Sequence, residues 1–172
     1  YVKSPAELKL IPQAVKALRL LRKEGFRVLV ITNQACVGKG IITLAQLEAI
    51  HEELARQVEV HGGRIDGFYV CPHAPWEGCE CRKPSPGLIF RAISDWGFDP
   101  QETWMVGDSE RDIAAARAAG CRAAMVRSGR TKRLPGAFAE VPVFDSLLEF
   151  TSFLLGAGAS PSGGSSIAAA VD

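Results

Sequence analysis

Hydrophobic and polar positions follow two spacings that alternate along the chain. In residues 12–24, Val15, Leu18 and Leu21 recur at every third position, which predicts a helix with one buried stripe. The next segment, 26–32 (FRVLVIT), is a short apolar run rich in β-branched residues, as expected of a strand buried in a parallel sheet. Further helices are predicted over 43–61, 85–97, 109–120 and 147–155, and further strands over 68–71, 103–106, 121–127 and 141–144.

Residues typical of helix ends bound several of these helices. Pro12 suits a first helical turn, and Gly25 and Gly97 suit the left-handed position that follows a last turn. Thr43 and Gln46 have the spacing of a capping box, in which two side chains satisfy the first N–H groups of a helix. The predicted boundaries therefore have a local chemical cause as well as a hydrophobic one.

Strands that alternate with helices predict an α/β fold. We expect right-handed crossovers and a Rossmann-like, three-layer structure, with a parallel sheet covered by helices on both faces. In such folds ligands bind at the carboxyl ends of the strands, where this sequence places Thr32-Asn33, Cys71 and Gly107-Asp108. Residues 1–155 form the predicted domain, and residues 156–172, which are small and rich in Gly and Ser, predict a flexible tail or linker.

Composition fits one globular domain and argues against several kinds of partner. The 172 residues are 47% hydrophobic and 23% charged, with a net charge of +1. No run of like charges is present, so we expect neither a nucleic-acid nor a membrane-surface binder. No apolar stretch approaches the roughly 18 residues of a membrane span and no signal peptide opens the chain, so we expect a cytoplasmic protein.

The acidic segment 107–112 (GDSERD) begins where a predicted strand ends. At a sheet edge, Asp108 offers the carboxylate oxygen that Mg²⁺ prefers, and Gly107 lets the backbone approach a ligand closely. The alternative is an ordinary helix start, with Ser109 as N-cap and Asp112 at the third helical position. The spacing does not separate the two roles for Asp112, whereas Asp108 lies outside the capping pattern and favours a metal.

Two neighbouring segments could face an anion. Thr32 and Asn33 end a strand, where a hydroxyl and backbone N–H groups can hold a phosphate oxygen. A turn that simply ends the strand is the alternative. The following loop, 35–41 (ACVGKGI), places Lys39 between two glycines but lacks the spacing of a P-loop.

Arg82 and Lys83 form a basic pair in the segment CRKPSPG. The two prolines that follow restrict the directions in which these cations point. A preorganised cation suits the transfer of a phosphoryl group. A solvated basic pair on a loop is the alternative.

Four of the residues that could bind a transition metal lie within eleven positions, as Cys71-x-His73-x5-Cys79-x-Cys81. Three thiolates and one imidazole make a closed tetrahedral set, which predicts a structural Zn²⁺ that folds the loop and takes no part in catalysis. Loosely grouped thiols are the alternative. The odd total of five cysteines argues against a disulfide framework.

Taken together and in order, the segments TNQ, CPH…CEC, CRKPSPG and GDSERDI resemble the haloacid-dehalogenase-like phosphatases. The similarity is greatest to the branch that acts on histidinol phosphate and heptose bisphosphate, and it covers roughly residues 1–150. It implies a Mg²⁺-dependent phosphatase without a large cap domain. We expect a small-molecule sugar phosphate as its partner, and a monomer.

The resemblance implies a role for each candidate residue. Those implied in catalysis are Thr32, which would bind the transferred phosphate, and Lys83, which would neutralise charge on nucleophile and phosphate. Those implied in substrate binding are Asn33, Lys39 and Arg82. Asp108 would ligate Mg²⁺ with support from Asp112. The implied Zn²⁺ ligands are Cys71, His73, Cys79 and Cys81.

One motif of the family has no counterpart in these residues. An Asp-x-Asp at the end of the family's first strand supplies the nucleophile and the general acid/base, and no Asp-x-Asp occurs here. Because the family's Tyr-Val pair after that motif matches Tyr1-Val2, we expect the motif and its strand upstream of Tyr1, and the 172 residues alone to be inactive. For the intact protein we expect hydrolysis of the 7-phosphate of a heptose 1,7-bisphosphate through an aspartyl-phosphate. Histidinol-phosphate hydrolysis, or a non-catalytic zinc-stabilised module that binds phosphosugars, is the alternative.

Overall fold

A computed structural model describes residues 1–127, 136–158 and 166–170, the last segment as backbone. The α-helices within these ranges are α1 (Pro12–Lys23), α2 (Ala35–Gly38), α3 (Leu44–Val60), α4 (Gly87–Trp96), α5 (Glu110–Ala118) and α6 (Leu147–Gly156), and short 3-10 helices occur at Pro5–Glu7, Pro100–Glu102 and Gly136–Phe138. The strands are β1 (Arg27–Asn33), β2 (Gly67–Cys71), β3 (Trp104–Gly107), β4 (Arg122–Val126), β5 (Val143–Phe144) and β6 (Ser166–Ala170).

These strands form one parallel sheet in the order β2-β1-β6-β3-β4-β5. Successive side chains of β1 point to opposite faces, as the two-residue period of a strand requires. Leu29 and Ile31 pack with residues of α4 and α5, whereas Val28 packs with residues of α1 and α6. The predicted α/β class, with helices on both faces of a parallel sheet, is confirmed.

The helix ends follow the local chemistry that the sequence indicates. At the start of α3 the backbone N–H of Gln46 donates to Thr43 Oγ1 over 3.1 Å, and the backbone N–H of Thr43 donates to Gln46 Oε1 over 2.7 Å. After α4, Gly97 takes a left-handed conformation with φ of 71°. No helix in the described ranges is both long enough and apolar enough to cross a bilayer.

Two segments differ from the elements that the sequence predicts. The loop predicted at 35–41 contains the one-turn helix α2, which is too short to show a periodic pattern. Within the tail predicted at 156–172, the backbone of Ser166–Ala170 pairs with β1 on one side and β3 on the other. Two parallel strands offer N–H and C=O groups to any extended segment between them, and a run of small residues does not show this locally. Residues 159–165 and 171–172 lie outside the described part, so a flexible tail or linker there stays a prediction.

Candidate active site

A buried cation lies at the carboxyl ends of β1 and β3. Lys83, from the loop before α4, is 1% exposed. Its Nζ donates to the backbone oxygen of Ile31 over 3.1 Å and to Asp112 Oδ1 over 2.8 Å. A lysine this deeply buried retains its charge only with a charged partner. The alternative of a solvated basic pair therefore does not hold for Lys83.

The carboxylate of Asp112 accepts hydrogen bonds from four donors. Besides Lys83 at Oδ1, its Oδ2 accepts from the backbone N–H groups of Asp108 and Ser109, each over 3.1 Å, and from Ser109 Oγ over 2.9 Å. Asp112 thus caps α5 and also pairs with the buried lysine, so the two roles that the spacing left open are compatible. These contacts fix the backbone of Asp108, whose half-buried carboxylate follows β3.

Gly107 permits this arrangement by its size. A Cβ atom at this position would lie 2.3 Å from Asp112 Cβ and 2.5 Å from Asp112 Oδ2. Contacts this short do not occur between real side chains, so the end of β3 and the first turn of α5 could not approach as they do. The glycine is therefore required for packing against Asp112.

Asn33 holds the loop that carries Lys83. Its Nδ2 donates to the backbone oxygen of Lys83 over 3.2 Å, and its Oδ1 accepts from the backbone N–H of Lys83 over 3.1 Å. This two-way contact joins positions fifty residues apart and sets the depth at which Lys83 enters the site. The sequence predicts substrate contact for Asn33, and the structure adds this positioning contact.

Thr32 is fully buried, and its hydroxyl is oriented by the neighbouring glutamine. Gln34 Nε2 donates to Thr32 Oγ1 over 2.9 Å, and Cys36 Sγ donates to Gln34 Oε1 over 3.5 Å. Because the hydroxyl oxygen already accepts a hydrogen bond, its own proton can be donated to a ligand. Gln34 is a residue that the sequence reasoning left without a role, although it follows directly in the segment TNQ.

A cavity of about 350 Å³ adjoins these strand ends. Asn33 and Gln34 form its wall on the side of the sheet, and Lys39, Arg82 and Arg111 contribute cationic side chains. Lys39 is exposed, and its Nζ donates to Tyr1 Oη over 3.1 Å. The cavity thus contains two of the predicted substrate-binding cations and a third, Arg111, that the sequence reasoning did not single out.

The four predicted zinc ligands converge on one point at the end of β2. Their ligand atoms all lie within 4.8 Å of one another. Cys71 Sγ is 3.7 Å from Cys79 Sγ and 3.6 Å from His73 Nδ1, and His73 Nδ1 is 3.2 Å from Cys81 Sγ. Tetrahedral zinc with Zn–S bonds of about 2.3 Å requires S···S edges of about 3.8 Å. The donor set and its spacing therefore fit Zn²⁺.

The thiols in this cluster strongly influence one another. Burial, with the adjacent thiols of Cys71 and Cys79, raises the pKa of Cys81 to about 12. Burial also raises the pKa of Cys71. Outside the cluster, Cys121 is half-buried against the core, and burial raises the pKa of its thiol to about 11, as expected of a small hydrophobic residue.

The structure brings the predicted residues together in three groups. Thr32, Asn33, Lys83, Asp108 and Asp112 lie at the ends of β1 and β3. Lys39 and Arg82 line the adjoining cavity with Arg111. The third group, at the end of β2, comprises Cys71, His73, Cys79 and Cys81. The backbone N–H of Gly38 in α2 donates to the backbone oxygen of Pro72 over 2.8 Å and so connects α2 to this loop.

Comparison with known proteins gives consistent matches. A family model described as HAD-hydrolase-like matches residues 80–150. A D-glycero-β-D-manno-heptose-1,7-bisphosphate 7-phosphatase of Neisseria meningitidis serogroup A is 36% identical over 166 residues, which cover 94% of this chain and 89% of that protein. The Pseudomonas aeruginosa protein of the same name is 38% identical over 159 residues, with 90% and 88% covered. The crystal structure of D,D-heptose 1,7-bisphosphate phosphatase from B. bronchiseptica, complexed with magnesium and phosphate, is 33% identical with a TM-score of 0.84, covering 91% of this chain and 89% of that one.

Proposed function

We infer the activity from one premise: the chain belongs to the D-glycero-β-D-manno-heptose-1,7-bisphosphate 7-phosphatases, a family of haloacid-dehalogenase-like hydrolases. It is a phosphoric monoester hydrolase that removes the 7-phosphate of D-glycero-D-manno-heptose 1,7-bisphosphate. The observation that carries this proposal is the buried Lys83–Asp112 pair, which fixes a cation beside Thr32 and Asp108 at the carboxyl edge of a parallel sheet.

In phosphoryl transfer, the protein has to stabilise charge on the equatorial oxygens of the phosphoryl group. Lys83 supplies a positive charge that needs no reorganisation, because Ile31 and Asp112 hold its Nζ in place. Thr32 donates its hydroxyl proton to one phosphate oxygen, since Gln34 occupies an acceptor position of Thr32 Oγ1. Both residues bind and orient the transferred group.

The residues at this edge also fit Mg²⁺. This ion prefers oxygen ligands and commonly uses one or two carboxylates, completing its shell with water and substrate phosphate. Asp108 is the residue that would ligate it, and Asp112, whose oxygens accept from Lys83, Asp108 and Ser109, would support Asp108. A bound Mg²⁺ would stabilise negative charge on the phosphate.

The nucleophile and the general acid/base are not assigned to a residue of this sequence, because it contains no Asp-x-Asp pair. The residues present stabilise the negative charge on the transferred phosphoryl group, and those that do so are Thr32, Lys83 and Asp108. Asn33, Lys39 and Arg82 bind the substrate around them, with Asn33 also fixing the backbone of Lys83.

The zinc proposal stands on the convergence of Cys71, His73, Cys79 and Cys81. The loop 71–81 leads directly into Arg82 and Lys83. A closed tetrahedral site has no open position for substrate, so its effect is to order this loop and with it the two basic residues. The monomeric state and the cytoplasmic location stay predictions.

A panel of phosphate esters tests the function. The full-length protein should release phosphate from the heptose 1,7-bisphosphate with a higher kcat/KM than from histidinol phosphate, since the matched relatives are named for the heptose ester. A higher value for histidinol phosphate would favour that alternative. Binding of the heptose ester without turnover would identify a binding module instead. A Lys83→Met variant should lose roughly 10²–10³ in rate, the usual cost of removing a preorganised donor.

A further inference from the structure

The cavity beside Asn33 and Gln34 carries more positive charge than one phosphate group requires. Lys39, Arg82 and Arg111 all contribute to its lining, and no carboxylate occurs among the lining residues that the structure describes. A phosphate monoester carries about −1.5 to −2 charges at neutral pH. In the proposed function Lys83 faces the transferred group, and Lys83, which pairs with Asp112, lies outside this lining. Three further cations therefore indicate a second anionic group.

Arg111 is directed into this cavity by the first turn of α5. Successive helical residues are about 100° apart, so neighbours face different surroundings. Glu110 is exposed and Asp112 is fully buried against Lys83, whereas Arg111 is half-buried and lines the cavity. The rigid contacts of Asp112 thus also fix the direction in which Arg111 leaves the helix.

The guanidinium groups of this cavity have unused donors. Within the described part of the chain, Arg111 makes no hydrogen bond, ion pair or ring contact. Arg82 Nη1 is buried and has no hydrogen-bond partner there. A buried donor without an acceptor costs free energy that a bound anion removes. Guanidinium also matches phosphate geometry through two parallel N–H···O contacts.

We propose that Arg111 is a specificity-determining residue that binds the second, non-transferred phosphate of a bisphosphorylated substrate. This inference rests on the proposed function and names the residue that distinguishes bisphosphate from monophosphate. The two sites are adjacent because Gln34 contacts Thr32 on one side and lines the cavity on the other. A sugar that places one phosphate at Thr32 therefore extends its other end toward Arg111.

The test compares two substrates that differ only in the second phosphate. The kcat/KM of the full-length protein is measured for heptose 1,7-bisphosphate and for heptose 7-phosphate, in the wild type, Arg111→Gln and Arg111→Lys. Arg91→Gln is the control, because Arg91 is exposed on α4 and does not line the cavity. Arg111→Gln should lower the value for the bisphosphate by about 10- to 100-fold, the effect of one charge-assisted hydrogen-bonded contact. The kcat/KM of Arg111→Gln for the monophosphate should change less than about threefold. For the bisphosphate, the kcat/KM of Arg111→Lys should lie between the values of Arg111→Gln and the wild type.

Two results would overturn the inference. An equal loss for both substrates would place Arg111 at the transferred phosphate or in folding, and no loss for either would remove it from the site. If the wild type hydrolysed neither substrate, the proposed function would fail by itself. The inference would then be decided by calorimetric affinities for the same two compounds, where Arg111→Gln must weaken only the bisphosphate.

Discussion

Lys83 Nζ lies 2.8 Å from Asp112 Oδ1, and both side chains are wholly excluded from solvent. The two residues are 29 positions apart and come from the loop before α4 and the first turn of α5. Each is buried only because the other is present, since an unpaired charge in such surroundings costs several kcal/mol. This pair therefore couples the stability of the fold to the position of the buried charge at the candidate site.

Replacing Asp112 by Asn should lower the free energy of unfolding by about 3–5 kcal/mol, because Lys83 is left as a buried charge without its partner. Urea denaturation at neutral pH measures the loss. Glu140→Gln is the matched control: it removes a carboxylate from the exposed pair with Arg117, and should cost at most about 1 kcal/mol. Equal losses in the two variants would show that the buried pair contributes no more than a surface pair.

Replacing Gly107 by Ala should destabilise the protein by about 1–3 kcal/mol, the usual cost of overpacking. The added Cβ would meet Asp112 at 2.3 Å and push its carboxylate away from Lys83. Gly156→Ala provides the control, since a Cβ there meets no atom within 4 Å. The free energy of unfolding in urea and the phosphatase activity should both fall in Gly107→Ala, and neither should fall in Gly156→Ala. Wild-type stability and activity in Gly107→Ala would mean that β3 and α5 can move apart without a cost in folding free energy.

Replacing Thr32 by Val should reduce phosphatase activity of the full-length protein by roughly 10- to 100-fold, because the shape-matched side chain lacks the hydroxyl proposed to donate to the phosphate. The valine also removes the acceptor of Gln34 Nε2, so the free energy of unfolding should fall by about 1–3 kcal/mol. Thr151→Val makes the same chemical change at a second fully buried threonine, whose hydroxyl donates to the backbone oxygen of Leu147 within α6. That control should retain its activity. Full activity in Thr32→Val would reject the phosphate-binding role.

Purified protein should contain about one zinc per chain by elemental analysis, as a closed Cys₃His site requires. Chelation should lower the thermal unfolding temperature, because metal binding and folding of the loop are coupled. Cys79→Ser should abolish the zinc content, and Cys121→Ser, outside the cluster, should preserve it. If the protein contained no zinc as purified and chelation left its unfolding temperature unchanged, the four residues would not be a zinc site.

Burial lowers the pKa of His51 below its ordinary value of 6.5, where its ring stacks on Phe68 with centroids 4.4 Å apart. An NMR titration should therefore give a midpoint below about 6.5. Because the unfolded chain binds this proton more readily, the stabilising contribution is complete above about pH 6.5 and is lost as the pH falls through the folded-state pKa. The unfolding free energy of the wild type should thus fall more steeply on acidification than that of His51→Gln. Parallel pH profiles for the two proteins would contradict this assignment.

Much of the fold could be predicted from local patterns. The three-residue spacing of Val15, Leu18 and Leu21 predicts a helix over 12–24, and the structure has α1 at Pro12–Lys23. Each such element carries its own signal in adjacent residues, so no knowledge of distant contacts is needed. β6 is the opposite case: its small residues show no period, and only the pairing groups of β1 and β3 make it a strand.

The sequence by itself determined the order of the helices and strands. It also determined which chemical groups are available, namely the four possible zinc ligands and the polar residues at the strand ends. Only the tertiary structure decided what these groups do to each other. It pairs Lys83 with Asp112, joins Asn33 to the backbone of Lys83 and directs Arg111 into the same cavity as Lys39 and Arg82. The physical reason is that helix and strand signals depend on neighbours within a few positions. Burial and charge pairing instead depend on segments that meet only when the sheet has formed.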